Sequence, residues 1–302
     1  MTGDAITKAI AASVRPIDRL IVKVSHGIGI LYEPRRIRRQ AEAEAEAQEI
    51  TARGKVNVNR ILTIGEIEND ALGQRALKRL IHEESKAQQN MEQVLEGASP
   101  YIAESAAPEE MDDDWLSHFF QKCRHISSAQ MQDMWSRVLA GEANQPGSFS
   151  KRTIEFLGTV SKVEADMFTC LCSYIWKLQG DAIPIVRYDD YMEPANRGEG
   201  NLSFSKLSAL DSLGLIHFDS LSEFALGGLS DTVSVSYGSA HYEMSMPRSD
   251  MELQVGNAIL TPMGLELSQI VQPATRYDVM EKVLDRWAGL GLAIACKLPE
   301  RT

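Results

Sequence analysis

The chain has 302 residues, 44% hydrophobic and 24% charged, an ordinary soluble composition with room for two or three modest domains. A net charge of −11 excludes a general affinity for nucleic acid, because phosphate contacts need clustered Lys and Arg. Four cysteines without framework spacing (Cys123, Cys170, Cys172, Cys296) argue against a disulfide scaffold and for a reducing compartment.

The charge is unevenly spread. Residues 1–40 carry eight cations against three acids, a net of +5, which leaves −16 for the rest. Residues 5–32 place Ile6, Ile10 and Val14 four apart and then, after Pro16, repeat helical spacing at Ile17, Leu20, Ile21, Val24 and Ile28. An apolar stripe beside cations, followed by the cluster EPRRIRR, predicts contact through Lys8, Arg15, Arg19, Lys23, Arg35, Arg36, Arg38 and Arg39. Two readings stay open: an interfacial helix on an anionic leaflet, or a helix packed on the body or on a protein partner with a solvated basic face. The same cations interrupt the one N-terminal apolar stretch, so neither a signal peptide nor a spanning helix is expected. The expected location is the cytoplasm, with peripheral attachment to the inner membrane under the first reading.

Residues 38–50, RRQAEAEAEAQEI, are strongly helix-favouring and read as a solvated rod. Helical character weakens over 54–65 and resumes from Glu66 to Ala98, where Leu77, Glu84, Met91 and Ala98 fall seven apart, as do Leu80, Ala87 and Val94. This a/d seam predicts self-association through Leu77, Leu80, Glu84, Ala87, Met91 and Val94; a helix packed on the body would read the same way.

Pro100 and the acidic run AESAAPEEMDDD predict a linker and a domain boundary near 100–112. Asp112, Asp113 and Asp114 suit either a divalent cation or the start of the helix led by Trp115. Trp115, Phe119, Phe120 and Ile126 give that helix an apolar face. His118, Cys123 and His125 are the nearest thing to a metal or nucleophile set, yet their spacings of five and two do not share a helical face.

Ile126–Ser150 packs a helix start, an amphipathic helix, a helix stop and the next helix start into twenty-five residues. Ser127 or Ser128 caps a helix with Met131, Met134, Trp135, Val138 and Leu139 on one stripe; Gly141 and then Pro146-Gly147 end it. Met131, Trp135, Leu139, Gly141, Pro146 and Gly147 form the expected structural corner. A capping box, Ser161 to Glu164, opens a helix over 162–178. Next come a strand at 182–188, a helix at 203–216, a hairpin across Tyr237-Gly238-Ser239, a helix start at Thr261-Pro262 and a C-terminal helix within 276–302.

The expected fold is therefore mainly α: long N-terminal helices forming a stalk (41–100), a central helical hairpin (112–180), then a winged-helix-like α+β module (181–272). Across 200–270 two cations, Lys206 and Arg248, face eight acids, so that module is expected to bind a protein and not a duplex.

Two phrases are also similar to a family. Glu84, Gln88, Asn90 and Glu92, followed by the corner Met131, Gln132, Trp135, Leu139, Ala140, Gly141, Glu142, Pro146, Gly147, Ser148 and Ser150, resemble a bacterial domain family of unknown function from about residue 40 to 272. That group is similar in layout to abortive-infection alpha-type proteins. The likeness implies a role in defence against phage and implies no catalytic residues. The resulting expectation is a non-enzymatic, homo-oligomeric protein without cofactor or metal, at a membrane surface or not. The alternatives are a soluble adaptor acting through the acidic module, or a hydrolase using His118, Cys123, His125 and Asp112–Asp114.

Overall fold

The computed structural model describes residues 15–28, 71–192, 201–248 and 251–297. They fall into two compact units, divided between Ile154 and Glu155.

The first unit is helical. Pro16 opens α1 (Pro16–Ile28), where its missing N–H costs nothing, and Leu20 and Val24 are fully buried. After α2 (Ala71–Ala98), Pro100 forces a 3-10 turn at Ser99–Tyr101. The acidic stretch that follows is not a linker: Ala106, Pro108 and Met111 are buried, and Pro108–Glu110 forms a second 3-10 turn that packs with α1. Asp112 caps α3 (Asp113–Cys123), accepting from the Trp115 amide at 2.7 Å. α4 (Ala129–Asn144) runs straight through Gly141 and stops one residue before Pro146-Gly147. Gly141 is there for contact: a Cβ would lie 2.6 Å from the Phe149 ring. In the core of this unit Trp115 stacks on Phe119, which meets Trp135 edge-on. α5 (Lys151–Leu157) crosses the division between units.

The second unit is α+β. The capping box at Ser161 and Glu164 starts α6 (Lys162–Cys172), which ends six residues earlier than its pattern predicts. Its expected last turn is instead β1 (Ile175–Leu178), joined to β2 (Asp181–Pro184) by a two-residue turn with Gln179 and Gly180 both at positive φ. Then follow α7 (Tyr188–Met192), α8 (Phe204–Ser212), β3 (Ile216–Phe218), β4 (Phe224–Leu226), β5 (Thr232–Tyr237), β6 (Ala240–Ser245), β7 (Leu253–Gly256), β8 (Ala258–Leu260), α9 (Pro262–Ser268), α10 (Tyr277–Gly289) and β9 (Ala293–Lys297). One antiparallel sheet has the order β2-β1-β5-β6-β9; β3 pairs with β8 and β4 with β7. Trp176 of β1 stacks on Tyr237 and meets Trp287 of α10 edge-on, all three buried.

This architecture corrects the expected fold class. The hairpin β5–β6 is not a wing. It is the middle of a five-stranded sheet, completed by β1 on one side and β9 on the other. Both outer partners were hidden in segments that read as helix, the end of 162–178 and the end of the C-terminal stretch. Four or five residues are too few for alternation to show. Nor does a coiled stalk stand at 71–100: α2 is packed onto α4 from Ala87 onward. The remainder of the expected stalk, 41–70, lies outside the described residues.

Candidate functional site

α2 is 28 residues long, ~42 Å, and its two halves live in different surroundings. From Ala87 to Ala98 it is anchored. Ala87, Asn90, Val94, Leu95 and Ala98 are buried. Gly97 lets α4 approach so closely that a Cβ would lie 2.5 Å from Ser136 Oγ. Ser136 donates to the Val94 carbonyl at 2.9 Å.

A polar clamp adds direction to that packing. Buried Asn90 donates through Nδ2 to the Arg124 carbonyl at 2.8 Å. Gln132 Nε2 donates to Gln93 Oε1 at 2.7 Å and to the Ile126 carbonyl at 2.9 Å. Arg124 Nη2 reaches Glu84 Oε1 at 2.6 Å. These bonds fix α2 to the turn between α3 and α4, and they give Asn90 and Gln132 of the two sequence phrases a physical task.

From Ala71 to Lys86 the surroundings change. Every residue in that stretch but Gly73 is exposed, including Leu77 (37%), Leu80 (53%) and Ile81 (58%). Leu77, Leu80 and Glu84 continue, at spacings of three and four, the same stripe that Ala87, Met91 and Val94 carry into the core. Sequence periodicity finds this seam but cannot show where along it the body begins. Of the six predicted self-association residues, Ala87 and Val94 are taken up inside the chain and Met91 is half-buried, Glu84 holds Arg124, and Leu77 and Leu80 face outward.

The predicted contact residues at the N-terminus separate similarly. Arg19 pairs with Glu109 at 3.1 Å and donates to the Ala106 carbonyl at 2.7 Å; Lys23 pairs with Asp113 at 2.7 Å. Both side chains are only about a fifth exposed, so α1 spends these cations on its own unit. Arg15 is well exposed and holds Asp18. Lys8, Arg35, Arg36, Arg38 and Arg39 lie outside the described residues. Among the described residues no helix is long and apolar enough to cross a membrane.

The residues weighed for catalysis are placed by structure. Asp112 caps α3 and Asp113 holds Lys23. Burial pushes the Cys123 and Cys172 thiols far above the ordinary cysteine range, which makes both poor nucleophiles. His125 is exposed, whereas Cys123 is fully buried. Among the described residues no three His, Cys, Asp or Glu side chains gather in a metal-binding group.

Of the predicted corner, Trp135 and Leu139 are fully buried, Met131 and Pro146 half-buried, and Gly147 takes φ +87°. Named in the family phrase but not among those six corner residues is Glu142. It is 2% exposed, and its carboxylate accepts from the Gly147 amide at 2.7 Å and the Phe149 amide at 2.9 Å. The Phe149 carbonyl in turn accepts from Trp115 Nε1 at 2.7 Å.

No curated protein and no solved structure matches the chain. A family model described as "Protein of unknown function (DUF2806)" matches residues 74–283, which takes in α2 from Gln74 onward, the corner and most of the second unit. With well over half of its length inside that match, the chain belongs to the DUF2806 family.

Proposed function

We propose that this protein acts by assembling with copies of itself, with the projecting half of α2 as its assembly element, and not by catalysis. The observation that supports this is the continuity of one apolar stripe: buried from Ala87 onward, exposed at Leu77, Leu80 and Ile81. Apolar side chains that recur at a/d spacing along a projecting helix gain most by facing another helix. The candidate nucleophile Cys123 is enclosed, and the candidate ligands Asp112 and Asp113 are engaged in capping and ion pairing.

The test is the mass of the full chain by light scattering across micromolar to submillimolar concentrations. The wild type is expected to exceed its 33.5 kDa monomer mass as concentration rises. Leu77→Ser/Leu80→Ser is expected to hold it at the monomer, with an unchanged far-ultraviolet spectrum because both side chains lie outside the core. A wild type that stays monomeric throughout would sink the reading.

A further inference from the structure

Independently of assembly, we infer that α1 is a latched membrane-binding helix. Its packing on the first unit covers the basic, apolar face that an anionic bilayer surface would take up, and Glu109 and Asp113 stand where lipid phosphates would.

The make-up of α1 is that of an interfacial helix. Ile17, Leu20, Ile21, Val24 and Ile28 form its stripe, and Arg15, Arg19 and Lys23 run beside it four apart. Asp18 is its one acid, and Arg15 already holds it. Leu20 and Val24 are fully buried where α1 packs on α3 and on the turn Pro108–Glu110.

The cations are held less firmly than the stripe. Arg19 meets Glu109 at 3.1 Å and Lys23 meets Asp113 at 2.7 Å, yet these carboxylates are 57% and 69% exposed. Ion pairs so open to water do little to hold two elements together. Arg19 Nη2 also donates to the Ala106 carbonyl, but its Nε is buried with no acceptor, a donor that docking strands.

An anionic bilayer surface offers the same helix acyl chains for the stripe and phosphate oxygens for every N–H of the guanidinium. The stripe is buried on either side of that exchange. What favours the body is the face of α3 that α1 covers; what favours the bilayer is charge. The body pairs Arg19 and Lys23, whereas the eight cations of residues 1–40 all add to attraction at an anionic surface. The latch therefore sets a threshold: α1 stays on the body in water and beside neutral lipid, and leaves it where anionic lipid is dense.

The experiment sediments the full-length chain with vesicles of phosphatidylcholine alone and of phosphatidylcholine with about a third phosphatidylglycerol, at about 0.1 M salt. Glu109→Gln/Asp113→Asn removes both latch carboxylates and leaves the Asp112 cap of α3 in place. Because two cations are freed for the surface, this variant is expected to bind the anionic vesicles about tenfold more tightly than the wild type, and to ignore the neutral ones. Glu281→Gln/Asp285→Asn, an equal change of net charge at exposed positions of α10, is expected to bind like the wild type. Adding Leu20→Ser/Val24→Ser to the latch variant is expected to cancel its gain. A latch variant no tighter than the wild type overturns the inference. So does an equal gain in the α10 variant, or a gain that survives loss of the two apolar residues. Light scattering without vesicles reads self-association separately.

Discussion

At the scale of single residues, Glu142 carries more of the first unit than its position on an amphipathic helix suggests. Two backbone amides of the corner have its carboxylate as their acceptor, and the corner in turn accepts from Trp115. Glu142→Ala strands the Phe149 amide in a buried site, where an unmade bond costs ~1–3 kcal/mol, and leaves the part-buried Gly147 amide without this acceptor. A loss of about 2–4 kcal/mol in urea denaturation is expected, with Glu142→Gln losing less because its amide oxygen still accepts. Equal stability for all three proteins would refute this account. The family phrase contains Glu142, but helix spacing alone gives it no place in the corner, because glutamate in a helix ordinarily faces water. The neighbouring Gly141 was read as a helix stop for a similar reason: its actual task, making room for Phe149 from the next segment, is a tertiary contact that no local pattern shows.

At the scale of elements, α2 shows helix propensity and packing pulling in opposite directions. Gly97 lies inside the helix, where glycine costs ~1 kcal/mol relative to alanine, yet a Cβ there would come 2.5 Å from Ser136 Oγ and 3.2 Å from its Cβ. Gly97→Ala is therefore expected to lower the melting temperature despite the gain in propensity. Gly97→Ala/Ser136→Gly is expected to recover much of the loss; a stabilised single variant would show that the helices separate freely. The elements that were legible carry their own local chemistry: the Ser161–Glu164 box, the Thr261-Pro262 start, and the hairpin at Tyr237-Gly238 with Tyr237 paired to Ala240. Those that were not legible depend on partners distant in sequence. β1 and β9 are strands because β5 and β6 hold their edges, and the turn between β1 and β2 uses Gln179 at positive φ where asparagine would have announced it. Half of the candidate site was legible in the same sense. The seam was visible in its spacing, while the point at which the body takes it over follows from Asn90, Ser136 and Gln132 each bonding a residue more than thirty positions away.

At the scale of the whole molecule, copies that meet must do so against a net charge of −11 each. Raising ionic strength from about 0.02 to about 0.3 M shortens the Debye length from roughly 20 Å to roughly 6 Å and weakens that repulsion. An assembly held by leucine and isoleucine is therefore expected to tighten with salt, read as a lower midpoint concentration in sedimentation. Loosening with salt would mean that ion pairs, and not the apolar stripe, hold the copies together.

The order β2-β1-β5-β6-β9 also sets a pace. Leu178 must find Val235, and Tyr242 must find Cys296, across 57 and 54 positions of chain. Closing such loops costs entropy before any pairing repays it, so the sheet is expected to form slowly in refolding, as is the docking of α1 on Glu109 across 90 positions in the first unit. On the ribosome the helical unit comes first: it is complete in sequence at Ile154, before the first strand of the sheet at Ile175. During synthesis the corner at Glu142 can be made while β9 does not yet exist, and until it does the outer edge of β6 stands open to whatever strand comes first.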